Sequence, residues 1–193
     1  MKLKLLRNVL RDLRRYLKHE DMYLGAMALG MNSSTDFEND KHMLFLDYDI
    51  TDEQLVESSI CELQAMFSLS HCYIYKTVKG FHAFFFYDND LPYSRIRLII
   101  NYAKDVDNMF RYISKYYDHK TIRVAGKYKE QDIEFYKVVY SNVRMPSLQE
   151  IEVAEAKRSE YKALKKLHGM FEKSKLKDNE LKDNDESKNK GKA

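Results

Sequence analysis

The chain has 193 residues, which is enough for one domain of ordinary size with a short appendage and too few for two separate cores. Hydrophobic residues make up 44% of the sequence, so a buried core is expected. The net charge of +3 is too small to indicate nucleic-acid binding by itself. Because the sequence contains neither an apolar run of about eighteen residues nor a secretion-signal pattern, we expect a soluble, intracellular, cytoplasmic protein without a membrane partner.

Residues 1–41 have the pattern of a basic amphipathic helix followed by a loop. Leucines recur from Leu3 to Leu17 at alternating steps of three and four residues, which places them on one stripe of a helix. Residues 30–41 lack apolar periodicity and are rich in turn formers, which predicts a loop. We expect both segments to pack on the core, with the basic face of the helix able to hold a nucleic-acid strand. The candidate residues for this contact are Arg7, Arg11, Arg14 and Arg15.

The predicted core occupies residues 42–146, and its first half alternates strand and helix patterns. An apolar run over 43–49 predicts a strand, and Thr51 ahead of an acidic first turn predicts the N-cap of a following helix. Two aromatic-rich segments, 71–77 and 81–87, come next and are separated by a short turn. They predict an antiparallel hairpin.

The second half of the chain continues with helical and strand patterns. Apolar residues keep helical spacing over 92–116, which predicts one continuous helix. The β-rich segments 121–125 and 133–140 flank a turn-like, charged stretch and predict a second hairpin. A last helix is predicted over 147–173, and the polar, highly charged tail 174–193 is predicted to be disordered.

The order β, α, β, β, α, β is that of the split βαβ arrangement found in RRM-like folds. It predicts an α+β protein with an antiparallel sheet and helices on one face, to which N-terminal and C-terminal helices are added. The opposite face of the sheet is expected to be free for a ligand.

Two carboxylates are predicted to project together from the first strand. Side chains alternate along a strand, so Asp47 and Asp49 share one face. Such a pair costs desolvation and repulsion unless a cation offsets it, and oxygen ligands suit Mg²⁺ or Mn²⁺. The alternative is that Asp47 is a strand-end residue and Asp49 belongs to the turn before the helix.

The hairpin adds a histidine to the same region. His82 shares its strand face with Phe84 and Phe86, and it lies beside the acids if the two strands pair. Gly80 is expected to admit a ligand close to the backbone, and Lys79 suits a phosphate. The alternative is a histidine that is packed and hydrogen-bonded in the core.

Two more basic residues lie near the end of a later predicted strand. Arg123 lies within the strand pattern and Lys127 follows Gly126 after it, and an arginine suits bidentate contact with a phosphate. The alternative is an edge strand whose basic side chains are solvated. The pair alone therefore leaves both interpretations open.

Together these motifs resemble the archaeo-eukaryotic primase superfamily, the primase-polymerases. The resemblance covers roughly residues 42–128 and consists of a strand ending in Asp-x-Asp, a small-x-His strand and an Arg strand with a Gly-Lys ending. It implies that Asp47 and Asp49 are metal ligands and that His82 contacts the phosphates of the incoming nucleotide. It also implies a third carboxylate after an apolar residue. Asp107 fits this description, with Asp105 and Asp118 as competitors.

The resemblance implies primer synthesis or extension by two-metal nucleotidyl transfer. Magnesium or manganese would be held by Asp47, Asp49 and Asp107, which would be both catalytic and metal-binding residues. The partners would be nucleoside triphosphates and single-stranded or primed DNA or RNA. The predicted nucleotide-binding residues are Lys79, His82, Arg123 and Lys127.

Two other interpretations of the core compete with an enzyme. The sequence Lys79-Gly80-Phe81 is similar to a motif of RNA recognition modules, in which Phe45, Phe84 and Phe86 would stack bases. The other is a catalytically inactive primase-like subunit of a viral or plasmid replication complex. It is favoured by the short final helix and by the lack of a zinc-binding element in the sequence, and a partner replication subunit would supply the missing activity.

Overall fold

The computed structural model describes residues 28–36, 38–126 and 133–190. The predicted basic helix with Arg7, Arg11, Arg14 and Arg15 lies outside these residues, as does Lys127. Within the described ranges the chain forms eight strands and four helices. In chain order they are β1 (Ala28–Asn32), β2 (Ser34–Asp36), β3 (Lys41–His42), β4 (Leu44–Tyr48), α1 (Glu53–Phe67), β5 (Cys72–Lys76), β6 (Phe81–Phe85), α2 (Tyr93–Tyr102), α3 (Asn108–Ile113), β7 (Thr121–Gly126), β8 (Glu134–Val139) and α4 (Leu148–Lys190).

The main sheet has four antiparallel strands in the order β4-β6-β5-β8. Two smaller antiparallel pairs, β1-β7 and β2-β3, accompany it. The predicted α+β class with antiparallel sheets is confirmed, and the element order is roughly that of the split βαβ arrangement. None of the helices in the described ranges is both long enough and apolar enough to cross a membrane.

The predicted second hairpin is wrong, because its two strands belong to different sheets. β7 pairs with β1, and β8 pairs with the outer edge of β5. β1 and β3 overlap the ends of the stretch 30–41 that was predicted to be a loop, and β2 lies within that stretch. The glycine that helped to suggest a loop has a packing role, since a Cβ on Gly30 would lie 2.5 Å from Cγ2 of Thr121.

The predicted continuous helix over 92–116 is two helices. α2 ends at Tyr102, and Asp105 adopts a positive φ of 58° that no α-helix accommodates. The Asp107 side chain then caps α3 by accepting a hydrogen bond of 2.6 Å from the Phe110 amide. Val106 and Phe110 remain buried across the break, so the apolar spacing continues although the backbone hydrogen bonding does not.

One end of each of two other helices differs from the prediction. The N-cap of α1 is Asp52 instead of Thr51, because the Asp52 carboxylate accepts from the amides of Gln54 and Leu55. α4 continues to Lys190, beyond the predicted boundary at 173 and through most of the predicted disordered tail. That segment contains no Gly or Pro and many Lys, Glu and Leu residues, which extend an existing helix at little cost.

Helices pack on both faces of the main sheet. On one face Tyr48 of β4 contacts Ser59 of α1 through a hydrogen bond of 3.3 Å. On the other face the Tyr161 ring of α4 lies 4.7 Å from the Tyr75 ring and 5.7 Å from the Phe84 ring, measured between centroids. The ligand-facing side of the sheet is therefore partly covered by α4, instead of free as predicted.

Candidate functional site

The pairing of β4 with β6 places Asp47 directly opposite His82. Paired residues of antiparallel strands project to the same face, so the two side chains meet. His82 Nε2 lies 3.4 Å from Asp47 Oδ1, with 32% of the aspartate side chain exposed and only 4% of the histidine. The structure thus brings together the acid and the imidazole that the alternation of the two strands predicted to be neighbours.

The second ring nitrogen of His82 has no hydrogen-bond partner among the described residues. Nδ1 is buried, while Nε2 faces Asp47. A buried polar atom without a partner has a free-energy cost of about 1–3 kcal/mol. The imidazole ring of His82 packs near the Phe84 ring, with centroids 6.4 Å apart, and this contact helps to hold the imidazole in its orientation. This is not the fully satisfied core histidine of the alternative interpretation.

Asp107 lies beside Asp47 through the backbone. Its amide donates a hydrogen bond of 2.8 Å to the Asp47 carbonyl oxygen, which joins the loop before α3 to β4. One carboxylate oxygen of Asp107 caps α3. The two other candidates for a third carboxylate are Asp105 and Asp118. Asp105 has a positive φ in the break between α2 and α3, and the exposed Asp118 pairs with His119.

Lys120 is a site residue that the sequence analysis missed. It is only 3% exposed, and its Nζ donates a hydrogen bond of 2.5 Å to the Phe110 carbonyl oxygen. Burial lowers the pKa of Lys120 to about 8, against the attraction of Asp107 and Asp47, which raises it. The amine therefore lies close enough to both acids to interact with them. Nothing in the polar sequence Asp118-His119-Lys120 distinguishes this lysine from a solvated one.

The other predicted site residues in the described ranges are Asp49, Lys79 and Arg123. Asp49 follows β4 and is exposed, and Lys79 is exposed in the turn between β5 and β6. Arg123 is half-buried in β7, opposite Gly30 of β1. β7 belongs to the two-stranded sheet β1-β7, so Arg123 lies on a different sheet from Asp47 and His82.

Gly80 lies in close contact with the protein's own backbone. A Cβ at this position would lie 1.9 Å from the Tyr48 carbonyl oxygen and 2.8 Å from that of Ile50. The turn after β5 therefore packs against the end of β4, where a close approach by a ligand was predicted. Gly80 fixes the segment that leads from Asp47 to Asp49.

Replacing Gly80 with alanine is expected to destabilise the fold by about 3 kcal/mol, because the added methyl group meets backbone atoms that cannot rotate away. Urea denaturation would measure the loss. Gly169→Ala is the matched control, since its Cβ meets nothing within 4 Å in the helix α4. That change should increase stability by about 1 kcal/mol. Equal stability of Gly80→Ala and the unmodified protein would contradict the packing described for this turn.

The buried amine of Lys120 predicts a pH dependence of stability. Its pKa is lower in the folded protein than in the unfolded chain, so the unfolded chain binds more protons between about pH 8 and 10. Stability relative to Lys120→Met is therefore expected to rise by about 2 kcal/mol between about pH 7.5 and 9.5. Urea titrations of both proteins across this range provide the measurement. A constant difference between them would mean that the amine is solvated.

A divalent metal was expected among these carboxylates, and the described residues fit one incompletely. In these ranges no three His, Cys, Asp or Glu side chains are grouped so as to hold a metal ion. Asp47 and Asp49 supply oxygen donors of the appropriate kind, but a carboxylate oxygen of Asp107 is engaged with α3. A lysine amine also lies near two of these acids.

The aromatic residues of the competing RNA-recognition interpretation are not exposed. Phe45, Phe84 and Phe86 are each 0% exposed. Phe84 packs edge-on against Phe45 and stacks with Phe86, and Tyr161 of α4 covers it. The expectation that these three rings stack bases is wrong, because the C-terminal helix occupies the face on which a nucleic acid would lie.

Comparisons of the chain with protein-family models, with curated proteins and with solved structures found no match.

Proposed function

We propose that the chain is a metal-dependent nucleotidyltransferase of primase-polymerase type, which synthesises or extends DNA or RNA primers in replication. The observation that carries this proposal is the direct pairing of Asp47 with His82 on adjacent strands, 3.4 Å apart and at a partly open position of the sheet. The proposed ligands are a nucleoside triphosphate and a single-stranded or primed nucleic acid.

We assign a role in this reaction to each predicted site residue. Asp47 and Asp49 would be the carboxylate donors to Mg²⁺ or Mn²⁺, together with Asp107. His82, held rigid by burial in β6, would donate a hydrogen bond to a phosphate oxygen of the nucleotide. The basic side chains proposed to neutralise phosphate charge are Lys79, Arg123 and Lys127.

Primer extension with labelled nucleotide tests the proposal. The full chain would be incubated with a primed template and either Mg²⁺ or Mn²⁺, with ribonucleotides and deoxyribonucleotides supplied separately. Products that require the metal and disappear with chelator are expected. If purified protein forms no product with either metal and either nucleotide, the proposed activity is rejected.

A second candidate is a primase-like subunit that binds nucleotides or strands without catalysing transfer. Two observations favour it: Asp107 caps α3, and the Lys120 amine lies near the acids, where it offsets part of their charge. This candidate predicts that the protein alone forms no product while it still binds labelled nucleotide in the presence of chelator. It would act with a partner replication subunit that supplies the activity.

A further inference from the structure

A groove of about 410 Å³ lies between the adjacent strands β5 and β8, at one edge of the main sheet, and the helix α4. Its volume is within the range of small-ligand sites. Aromatic rings and basic side chains dominate the lining, and the described residues that line it include no acid. The residues that matter here are Tyr73, Tyr75, Phe135, Arg158, Lys162 and Lys165.

The groove lies on the same face of the sheet as the candidate site, and in the same row of residues. The strand register pairs Asp47 with His82, His82 with Tyr75, and Tyr75 with Phe135. Directly paired residues share a face, so this row crosses all four strands of the sheet. With strands about 4.8 Å apart, Tyr75 lies roughly 10 Å from Asp47, and Phe135 roughly 15 Å.

The side chains of the groove have the chemistry of a surface for nucleotides. Phe135 is 57% exposed, and it packs edge-on against Tyr75 with ring centroids 5.7 Å apart. Lys162 is exposed on α4, and the Arg158 guanidinium lies 4.8 Å from the ring of Tyr73. An exposed ring beside several cations suits a base that stacks while its phosphate is neutralised. An acidic peptide would use the cations but leave the ring without a partner.

We infer that this groove binds a nucleotide unit of a single-stranded nucleic acid. The base stacks on Phe135, and the adjacent phosphate contacts Lys162. Phe135 lies at an accessible end of the row, whereas Tyr75 and His82, between it and Asp47, are buried. The choice of a strand as the ligand rests on the proposed function, whereas the groove and its charge do not.

Binding of a fluorescein-labelled oligothymidylate to the full chain, followed by anisotropy in the presence of chelator, tests the inference. Phe135→Ala is expected to weaken binding about tenfold because the stacked base loses its ring. Phe135→Trp should retain binding, which separates stacking from a general loss of structure. Lys162→Gln should reduce the slope of log affinity against log salt by about 0.7, the value for one phosphate on a single strand.

The controls are Tyr116→Ala and Lys115→Gln, two exposed residues outside the groove, which should leave affinity and salt slope unchanged. Groove variants that bind like the unmodified protein would overturn the inference. Displacement of the strand by thymidine monophosphate at the same nucleotide concentration would also overturn it, because the occupant would then be a free nucleotide.

The same variants separate this inference from the proposed function. Binding that depends on Phe135, in a protein that incorporates no nucleotide, would support the groove and reject the enzyme. Incorporation whose template KM is unchanged in Phe135→Ala would support the enzyme and reject the groove. Asp47→Asn should leave the affinity for the oligothymidylate within about twofold of the unmodified protein. The groove begins at β5, two β-strands away from Asp47 on β4.

Discussion

Replacing Asp47 with asparagine is expected to reduce nucleotide incorporation about a thousandfold. The change keeps the size of the side chain and removes the charge that would hold a metal ion, an interaction for which several kcal/mol of transition-state stabilisation is typical. A loss of about 4 kcal/mol corresponds to this factor. Single-turnover extension of a labelled primer, with Mn²⁺ in excess, measures the effect on the chemical step.

The fold should tolerate this substitution. The Asp47 side chain is about one-third exposed and contacts His82 at 3.4 Å, so no buried charge is left without a partner. We expect the urea midpoint of Asp47→Asn to stay close to that of the unmodified protein. Glu155→Gln removes an exposed carboxylate on α4 and is the matched control, which should retain full activity.

The outcome distinguishes the two candidate functions. Full activity in Asp47→Asn would show that the carboxylate has no part in the reaction and would reject the proposed metal site. No activity in the unmodified protein, combined with nucleotide binding, would instead support the non-catalytic subunit.

Local sequence patterns predicted the strands that carry the site and their faces. The alternation of side chains in β4 and β6 is a strict period of two, so one correct pairing is sufficient to place Asp47 beside His82. The short turn that ends at Gly80 predicted that β5 and β6 pair. These inferences depend on neighbours along the chain, which the sequence shows directly.

Structural features that depend on contacts between residues far apart in the sequence were not predicted. The pairing of β7 with β1 joins segments about ninety residues apart, and no local signal in Gly30 or Thr121 identifies the partner. The break between α2 and α3 is hidden because buried residues keep helical spacing on both sides of Asp105. Lys120 is buried by packing against Phe110, which its own sequence neighbours do not indicate.

Alternation also shows which residues share a face without showing what covers it. Phe84 and His82 lie on the same face of β6, yet Phe84 is fully buried under Tyr161. The covering residue lies on a helix that starts more than sixty residues later, at Leu148. The prediction of an open, ligand-binding face therefore holds only for the part of the sheet that α4 leaves accessible.

The start of α4 is attached to the sheet by a buried ion-pair cluster. Asp88, which follows β6 and is fully buried, accepts hydrogen bonds from the Ser70 hydroxyl at 2.6 Å and from Arg144 Nη1 at 2.5 Å. Arg144 Nη2 donates to Glu150 in the first turn of α4. Glu150 and Ser147 also bond each other's amides in the reciprocal pattern that caps a helix N-terminus. Arg144 therefore joins the helix that forms one wall of the groove to the segment that follows β6.

Replacing Arg144 with methionine is expected to destabilise the protein by about 3 kcal/mol near pH 7.5. The substitution leaves two largely buried carboxylates without their cation, which is the costly way to break such a pair. Urea denaturation measures the loss. Arg97→Met is the control, because Arg97 is exposed, lies over the Tyr93 ring and forms no ion pair with another described residue. Its effect should stay below about 1 kcal/mol.

The stability lost in Arg144→Met should depend on pH, and the sign of that dependence tests the role of Asp88. Burial raises the pKa of Asp88 to about 6, opposed by the hydrogen bonds from Ser70 and by the charge of Arg144. A raised carboxyl pKa means that stability falls as pH rises from the ordinary value of 3.8 to about 6, because the ionised form is penalised in the folded protein. Without Arg144 the free-energy penalty for ionised Asp88 in the folded protein grows. Arg144→Met should therefore lose less stability at about pH 5, where Asp88 is largely protonated, than at pH 7.5. Adding Asp88→Asn should restore part of the loss at the higher pH, and a pH-independent loss would assign the effect to packing of the arginine stem.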